Sequence, residues 1–415
     1  MSKLQELIDT LCPNGVEYKT IKEIATDIYR GAGIKRDEVT EDGIPCVRYG
    51  EIYTTYGIWF DECVSHTSLE IIKTPKYFEH GDILFAITGE SVDEIAKSCA
   101  YIGNDKCLAG GDIVVLKHNQ NPKYLSYALS TTEAQQQKSK GKVKSKVVHS
   151  SVPAIEAITI PVPPLEVQSE IVRILDNFTE LTAELTAELT ARKQQYEYYQ
   201  NKVFENFDSN IKWLAVKDCI ASLKTGLNPR QNFRLNEEGS VYPYVTGKDV
   251  YGNKINVTDR TDKITPLALD LINKRANLES DMLLFASTGT GTVGRMVVID
   301  EYKNDWGISE TLYVIKTLNN IITTKYLMYV LYSQIAKNQF EPKISKGSVP
   351  HLKVADLLNV KIPVPAIEEQ KRVVEILDRF DKLCNDISEG LPAEIEARQK
   401  QYAYYRDKLL SFKEI

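Results

Sequence analysis

The chain is poor in the residues that perform chemistry unaided. Its 415 residues include five His, three Trp and four Met. The histidines (His66, His80, His118, His149, His351) are dispersed, and Cys63-x-x-His66 stands without a second ligand pair, so no metal site is expected. The seven cysteines are odd in number and scattered with no CxxC pair, which excludes a disulfide framework and fits reduced core thiols. No run of about 18 apolar residues occurs. The opening MSKLQELIDTLCPNG carries charge rather than an apolar block, so neither a membrane span nor a signal peptide is expected, and a cytoplasmic location is. Walker A and Gly-x-Ser-x-Gly signatures are missing. Positive charge is not in excess either, with 51 Lys plus Arg against 57 Asp plus Glu. That balance excludes a uniformly basic body but allows basic loops on an acidic one. With 43% apolar and 26% charged residues, the chain is globular and long enough for two or three domains.

What the sequence does contain is itself, twice. IPVPPLEVQSEIVRILDNF (160–178) and IPVPAIEEQKRVVEILDRF (362–380) are identical at 11 of 19 positions, at an offset of 202. ARKQQYEYYQNKVF (191–204) and ARQKQYAYYRDKLL (397–410) follow at an offset of 206, so the second copy is four residues longer between the blocks. Upstream the copies diverge and only a skeleton remains: Gly81-Asp82-Ile83-Leu84 is matched with Ser280-Asp281-Met282-Leu283, and Lys123-Tyr124-Leu125 with Lys325-Tyr326-Leu327. Strand-like runs (112–117, 295–300) mix there with helical ones (326–337), which predicts an α/β domain in each variable part.

The well-kept parts read as long helices. Prolines end a strand at 160–164 and 362–366, and acidic residues then suit a helix N-terminus. From Gln168 onwards, Ile171, Ile174, Leu175, Phe178, Leu181, Leu185 and Leu189 recur at three and four, one helical face. Tyr196, Tyr198, Tyr199 and their counterparts Tyr402, Tyr404, Tyr405 extend it. Gly390-Leu391-Pro392 predicts a break, with Pro392 restarting the helix. Residues 182–189 are two copies of TAEL. One reading is a surface helix without a role. The other is a length-adjustable spacer, since four residues add about 6 Å and nearly one turn.

Two motifs are set aside on context. Gly289-Thr290-Gly291-Thr292-Val293-Gly294 spells GxGxxG but runs into the strand-like RMVVID, where a dinucleotide site needs a helix. Asn121-Pro122-Lys123-Tyr124 only approaches the base-holding loop of amino-methyltransferases and reads as a turn before a helix. The basic stretch Lys138, Lys140, Lys142, Lys144, Lys146 contains no acid, and in a strand all five ammonium groups would share one face. Phosphate contact and a solvated loop both remain open; the second copy offers only Lys343 and Lys346.

Two divergent domains, each trailed by a helix with IPVPxxExQ, ILDxF and QYxYY, resemble the specificity subunit of type I restriction-modification systems over essentially the whole chain. The resemblance implies an α+β protein: two α/β target-recognition domains joined by two long antiparallel helices in a pseudo-twofold arrangement. Its parts would be an N-terminal helix (1–14) beside the C-terminal helix, domain 1 (15–164), a central spacer (165–208), domain 2 (209–366) and a C-terminal spacer (367–415). It further implies a non-catalytic protein without a cofactor of its own that reads a bipartite, asymmetric site on double-stranded DNA. Two methyltransferase subunits would dock on the duplicated helices, and restriction-translocase subunits would join through them. Spacer and partner-binding residues would be Phe178, Leu181, Leu185, Leu189, Tyr196, Tyr199, Phe380, Tyr402 and Tyr405. Base-reading candidates in the variable loops are Lys35, Arg36, Arg48 and Tyr49 in the first domain, and Lys224, Arg230, Gln231, Arg234, Lys248 and Arg295 in the second. The class that competes with this reading is a stand-alone duplicated DNA-binding or scaffold protein without methyltransferase partners.

Overall fold

A computed structural model describes residues 3–140, 147–205, 211–386 and 389–415. The chain divides into two units, Met1–Glu184 with Ile395–Ile415, and Leu185–Glu394. Both spacers are thereby shared between units: the helix Leu165–Glu205 begins in the first and ends in the second. The C-terminal spacer is two helices, Ile367–Asn385 and Leu391–Leu409.

In the first unit, the main sheet runs in the order Ala25–Arg30, Ile113–His118, Ile83–Ala86, Ser98–Tyr101, Trp59–Phe60. The first four strands alternate in direction. Successive side chains point to opposite faces, and both faces are covered. Ile83, Phe85, Val114 and Leu116 pack with Tyr124, Leu125, Tyr127, Val167, Ile171 and Leu175 of the helices. Leu84, Ala86, Ile113 and Val115 pack with Val47, Ile52, Phe60 and Phe78 on the other side. A strand buried on both faces has no polar face to alternate with, which is why 113–116 reads as unbroken IVVL.

The second unit repeats this plan. Its main sheet has the order Ile220–Thr225, Leu312–Thr317, Leu283–Ala286, Met296–Val298. Leu283, Phe285, Tyr313 and Ile315 face the helices, while Leu284, Ala286, Leu312 and Val314 face the other way. This corrects the sequence skeleton by one residue. The two turn residues with positive φ are Gly81 and Asp281, so Ile83 corresponds to Leu283, not to Met282. A slip of one exchanges the two faces of a strand. The expected helix across 326–337 is two helices, Thr324–Tyr332 and Gln334–Phe340, divided at Ser333.

The repeated motif residues hold each sheet-rich part to its own stretch of helix. Tyr127 donates to Asp176 at 2.7 Å and Lys123 pairs with the same carboxylate at 2.8 Å. Tyr329 and Lys325 meet Asp378 likewise, at 2.6 and 3.0 Å. The buried Gln168 accepts from the Asn121 backbone N–H at 3.0 Å and donates to the Pro163 carbonyl at 2.7 Å. Gln370 does the same with Thr323 and Pro365, both at 2.9 Å. Each amide therefore ties the N-cap N–H of a domain helix to a carbonyl of the proline segment, satisfying both backbone groups. The N-terminal helix Lys3–Leu11 lies in the first unit, where Leu4 shares a core with Leu409, Leu410 and Phe412.

Removing the shared carboxylate takes a charged acceptor from a phenol and an ammonium at once, with only the Thr179 hydroxyl left to Tyr127 at 3.2 Å. The Lys123–Asp176 side chains are 22% and 19% exposed, against 44% and 38% for Lys325–Asp378. Asp176→Ala is therefore expected to destabilise by roughly 2–3 kcal/mol and Asp378→Ala by about half of that. Urea unfolding of the two variants checks this; equal losses would mean that exposure does not set the strength of these anchors.

Candidate nucleic-acid interface

One end of each main sheet carries the loops. In the first unit, Arg30 ends its strand opposite Val114, and Ala86 ends opposite the start of its neighbour at Ile113. Ser98 starts opposite Phe85. The connections at these points therefore leave from the same edge. A second, parallel-paired strand, Ile44–Val47, delivers its own connection there, because Val47 lies beside Ala109 just before the loop 110–112.

Two close approaches shape this end. A Cβ on Gly31 would lie 2.2 Å from the Gly110 carbonyl oxygen, and one on Gly226 would lie 1.9 Å from that of Ile308. Both positions demand glycine, and both release the chain into a cationic loop. Lys35 and Arg36 follow Gly31; Arg230, Gln231 and Arg234 follow Gly226. The strand Tyr242–Val245 mirrors Ile44–Val47, and pairs in parallel with 307–308. After it comes Lys248, as Arg48 and Tyr49 come after Val47. The sequence carries the equivalence as Pro45-x-Val47-x-x-x-Glu51-Ile52 against Pro243-x-Val245-x-x-x-Asp249-Val250, a signal too short to stand out without the strand pairing.

All four first-domain candidates line one cleft of about 810 Å³, together with Arg30, Gly33, Gly50, Gly110 and Gly111. Arg30 is bound to Asp112 at 2.5 Å and also to the Gly111 carbonyl. Lys35 lies 3.7 Å from Glu38. Arg48 is gripped by Glu51, whose carboxylate also accepts from the Arg48 backbone N–H at 3.0 Å and from the Ser65 hydroxyl at 2.7 Å. In the second unit Arg230, Gln231, Arg234, Lys248 and Lys224 are exposed, the last on the strand Ile220–Thr225. Arg295 is half-buried and reaches the Val250 carbonyl at 3.4 Å. The GxGxxG run is the turn between Leu283–Ala286 and Met296–Val298, with positive φ at Gly289, Gly291 and Gly294. Exposed Lys343 and Lys346 belong to a segment docked on it, through Gly289 N–H to the Pro350 carbonyl at 2.9 Å and Thr288 to His351 at 2.8 Å. Thr88 and His149 make the corresponding contact at 3.1 Å in the first unit.

The lysine run does not form a row of five. Lys138 lies in the helix Thr132–Ser139 and is 4% exposed, with its ammonium 3.4 Å from the Ser98 hydroxyl and 5.8 Å from the centre of the Phe85 ring. Burial pushes its pKa down to about 7. A helix rotates successive residues by about 100°, so alternate lysines cannot share a face, and Lys138 turns into the core. Lys140 caps that helix and is exposed; Lys142, Lys144 and Lys146 lie outside the described residues.

The helix aromatics make the contacts inside each unit. Phe178 stacks on Tyr405 at 5.5 Å, and Tyr127 meets Tyr402 at 6.5 Å. In the second unit Tyr196 and Tyr199 stack on Phe380 at 6.1 and 5.7 Å. The TAEL leucines differ: Leu185 and Leu189 are half-buried and Leu181 is exposed, and none joins either helix-facing core. No helix among the described residues is long and apolar enough to cross a membrane.

The architecture is a duplicated α+β unit with a loop-bearing sheet end and a helical stem. The family profile described as the type I restriction modification DNA specificity domain matches residues 13–192 and 213–397, and the chain belongs to that family. The chain is similar to the EcoR124I/EcoR124II specificity subunit of Escherichia coli, 35% identical over 61% of this chain and 63% of that one. A putative type I specificity subunit of Haemophilus influenzae is 34% identical over 66% of this chain and 68% of its own. The alignment to the first of these thus spans less than two thirds of the relative's length. Its fold is shared with the crystal structure of a type I S subunit from M. genitalium, at 14% identity and TM-score 0.54 over 96% and 97% of the chains. A chain from a structural study of type I complex assembly and conformational transition gives TM-score 0.63 at 16% identity, over 96% and 98%.

Proposed function

We infer that this chain is the non-catalytic DNA-reading subunit of a type I restriction-modification complex. The observation that carries the reading is the repetition of a glycine-released cationic loop at the same sheet end of both domains. Each domain reads one half of a split, asymmetric target on double-stranded DNA, so unlike loops give unlike half-sites. Lys35, Arg36, Arg48, Tyr49 and Lys140 serve the first half-site, with Lys142, Lys144 and Lys146 in the segment that follows; Lys224, Arg230, Gln231, Arg234, Lys248, Arg295, Lys343 and Lys346 serve the second. Two methyltransferase subunits dock on the duplicated helices and bring the methyl donor and the catalytic groups. Restriction-translocase subunits join through them, in the cytoplasm. Duplicated helices present duplicated surfaces, which supports two copies of one partner on a single chain.

The chain alone, mixed with S-adenosylmethionine and DNA, is expected to transfer no methyl group. Addition of its methyltransferase partner is expected to give adenine methylation at one bipartite sequence. Methyl transfer by the purified chain, or methylation without sequence preference in the complex, overturns the reading.

A further inference from the structure

The cleft of the first domain contains an arginine that is held ready rather than free. The Glu51 carboxylate is 7% exposed and its position is fixed from two sides that do not involve the arginine side chain: the Arg48 backbone N–H on one oxygen and the Ser65 hydroxyl on the other. Ser65 is itself fixed, because it pairs with Cys46 in the neighbouring strand. Onto the Oε1 of this anchored carboxylate the Arg48 guanidinium brings Nε and Nη2, each at 3.2 Å. One edge of the guanidinium is thereby occupied. The end formed by Nη1 and Nη2 keeps its donors, and the side chain is 30% exposed where it lines the cleft.

That presentation has a specific chemical complement. Two parallel N–H donors at the end of a planar fork match two acceptors on one edge, and on duplex DNA the major-groove edge of guanine supplies them as O6 and N7. A phosphate could also accept, but only a base edge turns a fixed direction into preference for one sequence position, since phosphate contacts carry no sequence information. Ordering a long side chain on binding costs free energy, and here the fold has already fixed it. The neighbours differ in kind: Arg36, exposed, and Lys35, 78% exposed, are the looser cations suited to the backbone.

The second domain shows which part of the device is constant. Asp249, at the place of Glu51, accepts from the Thr246 backbone N–H at 2.8 Å, from the Thr246 hydroxyl at 2.8 Å and from the Thr261 hydroxyl at 3.2 Å. The buttressing carboxylate is kept, while the residue it holds changes from arginine to threonine. A fixed mount with an exchangeable head is what two domains reading different half-sites require.

Resting on the DNA-reading function above, we propose that Arg48 reads a guanine in the half-site of the first domain, and that Glu51 is the positioning residue that aims it. The corresponding head in the second domain, Thr246, lacks the fork, so its half-site does not depend on this contact.

The experiment maps methylated sequences produced by the complex of full-length chain and methyltransferase. Exchange of residues 15–160 with those of a related chain first assigns one half-site to the first domain. Arg48→Ala and Arg48→Lys are then expected to make a single guanine position in that half-site degenerate, with preference there reduced about 10- to 100-fold. The other half-site stays as it was. Lys keeps the charge and the Glu51 contact but not the fork, so it tests the reading even where Ala lowers the thermal midpoint. Glu51→Gln keeps the backbone cap and is expected to weaken preference at that same position and no other. An unchanged motif in Arg48→Lys overturns the proposal, as does a uniform fall in methylation of all sequences, which marks a phosphate contact. A parent complex without any bipartite motif overturns the function on which the proposal rests.

Discussion

Under the proposed function, deletion of Thr186–Leu189 is expected to leave both half-sites of the methylated sequence intact and to shorten the gap between them by one base pair, with two the less favoured outcome. The parental target is then no longer methylated. The segment sits where the first unit gives way to the second, in a continuous 41-residue helix. Four residues shorten a helix by about 6 Å and rotate its far end by about 40° beyond a full turn. One base-pair step of B-DNA rotates by a similar angle, given about 10 to 10.5 base pairs per turn, and translates about 3.4 Å. The rotation therefore matches one step while the translation falls between one and two. The apolar positions Leu185 and Leu189 are four apart, so removal of one unit leaves the seam within about 40° of its original line. These leucines are only half-buried and belong to neither helix-facing core, so little packing is lost. Methylation mapping of the deletion variant measures the gap directly. An unchanged gap would make the repeat filler, and altered half-sites would show that the two domains do not read independently.

Lys138→Met is expected to stabilise the first unit at neutral pH, by roughly 2–4 kcal/mol. The buried ammonium has its pKa pushed down from 10.5 to about 7, with burial as the cause and the Ser98 hydroxyl as its near polar neighbour. Each tenfold change in a protonation equilibrium is worth about 1.4 kcal/mol. The unfolded chain holds this proton up to about pH 10.5, whereas the folded chain gives it up near 7. Between those values the unfolded state binds more protons, so the wild-type chain gains stability as pH rises from about 7 towards 10.5. Below 7 the penalty is complete. Methionine fills a similar volume without a charge, so the variant lacks this slope. Urea unfolding at pH 7 and pH 9.5 decides it: the advantage of the variant should shrink at the higher pH. An advantage that did not change with pH would trace to packing rather than to the charge.

The lysine also marks how far a sequence carries. Period-two spacing of Lys138 to Lys146 suggested a strand edge facing phosphates, yet Thr131 caps a helix that includes the first of them. Helix and strand periods differ, and a run that starts in one element takes its faces from that element. The one-residue slip between Ile83 and Met282 has a related origin. Both strands are buried on two sides, so no alternation of polar and apolar residues was available to fix the register. The base-reading candidates were chosen for residue type alone, and the four in the first domain converge on one cleft because strand ends, not sequence neighbours, bring them together. Glu51 and Asp249 were missed, since an acidic residue offers no reason to be sought in a site for a polyanion.

The sequence by itself determined the duplication, its offset, the break at Gly390-Leu391-Pro392 and the family, because repeated helical motifs are local patterns that survive without knowledge of contacts. The tertiary structure alone decided why those motifs are kept. Gln168 and Gln370 tie the N-cap N–H of a domain helix to a carbonyl of the proline segment, and Asp176 and Asp378 collect a phenol and an ammonium from a helix that lies about 50 residues earlier in the chain. It also decided which cations are held and which are loose, since a guanidinium acquires a direction only from the carboxylate and hydroxyl that the fold sets beside it.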